Sequence, residues 1–145
     1  MEIFGDERRV NQYVADTHAL IRHLTEDERL PQACRTAFSN ADLSKVQMWI
    51  PAIVLVEVIY LVEKSRVPAS LVERMLDAVD PPRLGYRLAA LDVNVARNLI
   101  QIPRDLVPEM PDRIIAATAM TLSAPLLTKD SKIRKVPGLT TIWES

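Results

Sequence analysis

The sequence predicts an α/β fold built on a central, mainly parallel sheet. Three observations carry this. Short apolar runs recur at 10–15, 47–50, 86–91 and 125–128. Stretches with helical spacing separate them, and prolines stand where those helices would begin. Strands alternating with helices are the signature of βα units and a parallel sheet.

Taken in order, residues 1–9 are charged and patternless and read as a flexible lead-in to a single domain over 10–145. Residues 10–15 form the first strand. Ala19, Leu20, Ile21 and Leu24 mark a short helix from Thr17, and Thr25-Glu26-Asp27-Glu28 breaks it. Pro31 suits the first turn of a second helix, to about residue 40. Gln47-Met48-Trp49-Ile50 is the second strand, and Pro51 opens a helix to about residue 64. Pro68 opens the next, whose Leu71, Val72, Met75, Leu76 and Val79 share one face before Asp80-Pro81-Pro82 stops it. A third strand at 86–91 precedes a helix capped by Asp92, running through residue 102. Residues 103–110, with two prolines, form a loop. A helix follows from Pro111 to Leu122, then a fourth strand at 125–128 and a short edge strand at 139–143 after the Pro137-Gly138 turn.

Composition narrows the function. Hydrophobic residues make up 48% of the 145-residue chain and charged residues 26%, the balance of an ordinary globular domain. Three glycines and no matching motif exclude a Gly-rich phosphate loop or dinucleotide fingerprint. The net charge of -1 exerts no global pull on nucleic acid, so such a partner needs a local basic patch. Cys34 is the single cysteine; it forms no internal disulfide and fits a reducing cytosol as a packed small residue. The N-terminus lacks a signal-peptide core, and the apolar run at 48–62 is interrupted by Pro51 and Glu57, short of the ~20 residues that span a bilayer. A cytoplasmic protein without a membrane segment is expected.

The chemistry lies in four carboxylates. In a βα unit the carboxyl end of a strand and the start of the next helix share one edge, where ligands of open α/β sheets bind. Asp16 ends the first strand, Asp130 follows the fourth, and Asp112 lies in the first turn of a helix running back against the strands. Glu57, in Ile53-Val54-Leu55-Val56-Glu57-Val58-Ile59, is the only charge between Met48 and Val62. Neither Lys64 nor Arg66 meets it at i+3 or i+4. Asp16, Asp112 and Asp130 each have an ordinary explanation as a cap, a turn residue or a dipole partner. Four at one edge do not, because clustered carboxylates repel until a cation neutralises them. Oxygen donors without His or Cys at metal spacing favour Mg²⁺ or Mn²⁺. Such a set suits hydrolysis of a phosphodiester by metal-activated water, with a second ion about 3.5–4 Å away steadying the leaving oxygen. Thr17, Thr128 and Ser131 are placed to orient the acids. His18 is close to the site and, like His23, receives no role.

These residues resemble the PIN domain. The resemblance rests on Asp16-Thr17-His18-Ala19-Leu20, Glu57 in an apolar helix, Pro111-Asp112-Arg113-Ile114-Ile115-Ala116-Ala117-Thr118-Ala119 and Leu127-Thr128-Lys129-Asp130. More narrowly, the chain is similar to VapC-type toxins from about Tyr13 to Trp143. The resemblance implies a three-layer α/β/α fold and a Mg²⁺- or Mn²⁺-dependent endoribonuclease with Asp16, Glu57, Asp112 and Asp130 as its acidic residues. It also implies a homodimer and a cognate antitoxin whose C-terminal segment occupies the active-site groove. The chain departs from the family where relatives carry a small hydroxyl residue before the helical glutamate, here Ile53-Val54-Leu55. It departs again at Glu109-Met110-Pro111-Asp112, where relatives read Asp-Pro-Phe-Asp; Glu109 either replaces the extra carboxylate or is solvated.

RNA contact is expected from Arg113, Lys129 and Lys132, with Arg134 and Lys135 either joining them or simply solvated. Aromatic residues make up only 5% of the chain, which argues against base stacking on an exposed platform. The competing function is a non-catalytic PIN-like module that binds RNA or a protein. A phosphoacceptor domain wants paired acids after the first strand, and an Asp-x-Asp phosphatase wants an acid where His18 stands. Both fit poorly.

Overall fold

The computed structural model describes residues 10–144; the lead-in assigned to residues 1–9 lies outside them. Five strands and six α-helices alternate among the described residues. They are β1 (Gln12–Ala15), α1 (Thr17–Leu24), α2 (Gln32–Asp42), β2 (Gln47–Pro51), α3 (Ala52–Glu63) and α4 (Ser70–Val79). After these come β3 (Tyr86–Ala89), α5 (Val93–Leu99), α6 (Met110–Leu122), β4 (Leu126–Leu127), a 3-10 turn (Ile133–Lys135) and β5 (Thr141–Ile142).

The strand order is β3-β2-β1-β4-β5, and every pairing is parallel. The chain moves outward from β1 through β2 to β3, then returns to β4 on the other side of β1. That reversal makes the β1/β4 boundary the topological switch point, where open α/β sheets bind ligands. With helices packed over the sheet, this is the three-layer α/β/α arrangement.

Both faces of the sheet are covered, so its strands read as continuous apolar runs. Val14, Ala15, Met48, Ile50, Leu126 and Leu127 have almost no exposed surface. In α6, residues 114–119 are all buried. Ala116, Ala117 and Ala119 carry no bulk, so this helix can lie close against its neighbours, α5 above all. Gly85 has a comparable role before β3. A Cβ there would collide with the carbonyl oxygens of Val46 and Ala41, while its N–H donates to Ala41 O at 2.9 Å.

The elements follow the sequence reading with shifts at their ends. Pro51 closes β2 and caps α3 instead of opening the helix. α5 stops at Leu99, and residues 100–102 continue only as turns. β4 and β5 are two residues each, because the ladder at that edge is only two residues deep. No helix of the described residues is long and apolar enough to cross a membrane.

Candidate active site

Asp16 stands at the switch point. Its backbone N–H still donates to Leu127 O of β4 at 3.1 Å, one residue beyond the end of β1. One carboxylate oxygen, Oδ1, caps α1 by accepting from the Ala19 N–H at 2.8 Å. Capping and facing the cleft are therefore both duties of the same side chain. Asp16 is only 5% exposed. Burial raises its carboxyl above the ordinary range; the Thr128 hydroxyl, the Ala19 N–H and the His18 charge draw it down, and Asp130 adds to the rise.

The buried Thr17 extends the construction sideways. Its Oγ1 donates to Glu57 Oε1 at 2.5 Å, tying the start of α1 to α3. Glu57 itself is half-buried, which corrects the reading of a lone charge sunk in an apolar helix. The reason is that α3, although apolar on nearly every side, fully buries only Val54 and Val58. Its Glu57 face opens onto a cleft.

Asp112 enters from the first turn of α6, half-buried. Its carboxyl is pushed up to about 6, first by burial, then by the charges of Asp130 and Glu57, a hydrogen bond with Asp130 and the charge of Asp16. Asp130 is held by its own loop. Its N–H donates to Thr128 Oγ1 at 3.0 Å, and its Oδ1 accepts from the backbone of Lys132 at 2.7 Å and Ile133 at 3.1 Å. One cleft is lined by Asp16, Glu57, Asp112 and Asp130, with Thr17 and His18 beside them.

The four expected acids thus share one cavity, of about 480 Å³. Among the described residues, no three His, Cys, Asp or Glu side chains stand close enough about one point to hold an ion as the chain lies. The carboxylates share a wall rather than a finished cage. Their chemistry nevertheless suits a hard divalent cation: the donors are oxygens, and four carboxylates face a single lysine in the cleft lining.

A family model described as the PIN domain matches residues 13–139. The chain belongs to the PIN domain family. Ribonuclease VapC22 of Mycobacterium tuberculosis is 26% identical over 130 residues, covering 88% of this chain and 95% of that one. Among solved structures, VapBC2 from Rickettsia felis bound to a promoter DNA fragment is similar with a TM-score of 0.66 at 18% identity, over 92% of this chain and 99% of that one. A toxin–antitoxin complex from Klebsiella pneumoniae is similar with a TM-score of 0.63 at 20% identity, over the same shares of 92% and 99%. At these identities, the structural likenesses establish the fold.

Of the basic residues expected to contact RNA, Lys129 and Lys132 stand on the loop after β4 as expected, and Arg113 is engaged elsewhere. Arg113, Lys129 and Lys132 are absent from the residues lining the cleft. Arg113 turns towards the end of α5, where its Nη2 donates to Leu99 O and Ile102 O, each at 3.0 Å. Lys129 and Lys132 are exposed on the loop after β4. Arg134 pairs with Glu144. Glu109 and Ser131 are exposed and also outside the cleft lining. Two residues that received no site role, Tyr60 and Lys64, do line it. Both fall at helical spacing from Glu57, and that spacing was the available signal.

Proposed function

We infer that this PIN domain is an endoribonuclease dependent on Mg²⁺ or Mn²⁺ that acts as the toxin of a type II toxin–antitoxin pair in the cytoplasm. The observation that carries the reading is the convergence of Asp16, Glu57, Asp112 and Asp130 on one cleft at the switch point. The curated relative named a ribonuclease supports the reaction. The Klebsiella pneumoniae neighbour, solved as a toxin–antitoxin complex, supports an antitoxin partner.

The four acids would hold the cation. Bound there, it would lower the pKa of water and neutralise charge on the phosphate. The chain's own contribution is arrangement. Asp16 is locked by its cap to Ala19, and Thr17 fixes the rotamer of Glu57 through Oε1. Thr128 sets Asp130 by accepting its N–H. Asp112, whose carboxyl is pushed up to about 6 by burial and its acidic neighbours, is placed to take or release a proton at the cleft.

One observation favours the alternative of a non-catalytic module that binds RNA or protein: the acids do not close into a formed ion site among the described residues. Incubating the purified chain with total cellular RNA separates the two. Cutting that requires Mg²⁺ or Mn²⁺, stops with EDTA and is missing in a folded Asp112→Asn variant supports the nuclease. Equal behaviour of wild type and variant assigns any cutting to contamination, and RNA left intact by both favours the module.

A further inference from the structure

The wall of the cleft opposite the switch point is one face of α3. Glu57, Tyr60, Leu61 and Lys64 stand at i, i+3, i+4 and i+7, the spacing that places side chains in a row on one side of a helix. All four line the same cleft as Asp16, Asp112 and Asp130. Tyr60 is 59% exposed, a large aromatic surface left open among the described residues. Lys64, at the C-cap of α3, is the one lysine or arginine among the cleft-lining residues. From Glu57 to Lys64 the helix rises about 10 Å, so the two residues stand about two turns apart along it. Charge along this wall therefore changes sign, from an acidic end to a basic end, with an aromatic ring between.

Resting on the nuclease reading above, we propose that this row is the strand-binding track of the site. Tyr60 stacks on an unpaired base beside the phosphate to be cut, and Lys64 holds a neighbouring phosphate. The two ends answer two parts of one substrate. The acids repel a bare phosphate and need a cation to accept one, whereas Lys64 accepts one directly. An exposed ring between two phosphate-binding points meets what lies between phosphates in a single strand, a base face. A duplex buries its base faces in its own stack, so the track selects single-stranded RNA. The aromatic platform discounted on composition is thus met by one well-placed residue.

The test uses the described chain in full length and a fluorescein-labelled single-stranded RNA of mixed sequence, beside its duplex. Binding is read by anisotropy in the Asp112→Asn background with Mg²⁺ present, so that cutting does not deplete the probe. Tyr60→Ala is expected to weaken single-strand binding about tenfold, and Tyr60→Phe to restore it. Lys64→Ala is expected to lower the slope of log affinity against log salt by about 0.7, and Lys64→Arg to restore it. In the otherwise native chain, the same alanine variants raise KM more than they lower kcat.

Equal loss from Tyr60→Ala and Tyr60→Phe, an unchanged salt slope, or equal binding of duplex and single strand overturns the track. So does a Tyr60→Ala variant that binds RNA normally but changes oligomeric state by light scattering, which assigns the face to a second copy. Cutting that is indifferent to Tyr60 and Lys64 sinks this inference and leaves the nuclease standing. Binding that depends on Tyr60 and Lys64 without cutting by the native chain sinks the nuclease reading and, with it, the placing of Tyr60 beside a phosphate to be cut, leaving only an RNA-binding face; no binding to either RNA removes both.

Discussion

The two edges of the sheet handle charge in opposite ways. At the carboxyl edge, Asp16, Glu57, Asp112 and Asp130 gather around one cleft, and Asp112 feels the other three as a burden. At the amino edge, a second cleft is lined by even more charged residues, of both signs, and several of them have partners. There the buried Tyr86 donates its hydroxyl to Asp42 Oδ1 at 2.8 Å. Because that proton is spent on Asp42, His23 Nε2, 3.2 Å away, is the donor to Tyr86. The His23 ring stacks on Phe38 with centroids 4.1 Å apart. Arg74 donates to the last carbonyl of α1, Leu24 O, at 2.7 Å, and Arg35 to Leu30 O at 2.8 Å. Matched polar groups hold a fold together, whereas unmatched like charges cost stability and persist where something else is to bind. The amino edge is a structural seam, and the carboxyl edge carries the proposed site.

The sharpest way to break this contrast is Asp112→Asn. It should reduce cleavage by at least about a hundredfold, read on a labelled RNA, and raise rather than lower the melting temperature of the metal-free protein. Next, Tyr86→Phe should reverse the pattern. Removing the hydroxyl takes a partner from the half-buried His23 and from the exposed Asp42, which regains water, costing about 1 kcal/mol in denaturant unfolding while leaving kcat near wild type. Gly85→Ala, at the same edge, should cost about 1–3 kcal/mol through its collision with two backbone carbonyls, again without a direct effect on the site. Thr17→Val should be milder. It frees Glu57 from its hydroxyl partner and should lower activity about tenfold with little change in stability.

The pH dependence sharpens the comparison further. The Asp112 carboxyl rises from 3.8 to about 6 on folding, so the folded state binds the extra proton. Its favourable contribution is complete below about pH 3.8 and is lost as pH rises through about 6. Melts in EDTA across that window should show this decline in the wild type, and Asp112→Asn should flatten it.

The site was legible in the sequence to the extent that local rules place it. Asp16 and Asp130 follow strands, and Asp112 opens a helix, so the βα geometry alone brings them to one edge. Glu57 was harder to read. α3 is apolar on almost every side, and no stripe tells which face meets the core, so its charge looked buried. The same lack of a stripe hid Tyr60 and Lys64. Arg113 has a tertiary duty, with carbonyls 14 and 11 positions away, that no local pattern announces. The seam was invisible for the same reason: Tyr86 finds Asp42 across 44 positions and His23 across 63. Strand lengths at β4 and β5 depend on partners as short as themselves.

The central claim is that the carboxyl edge is kept under charge strain for a cation to relieve. Thermal melting of wild type and Asp112→Asn at neutral pH, each in EDTA and then in Mn²⁺, tests it without relying on activity. The account predicts that Asp112→Asn melts higher than wild type in EDTA, and that Mn²⁺ raises the wild type much more than the variant. A variant that melts lower in EDTA, or an equal Mn²⁺ shift in both proteins, would contradict it.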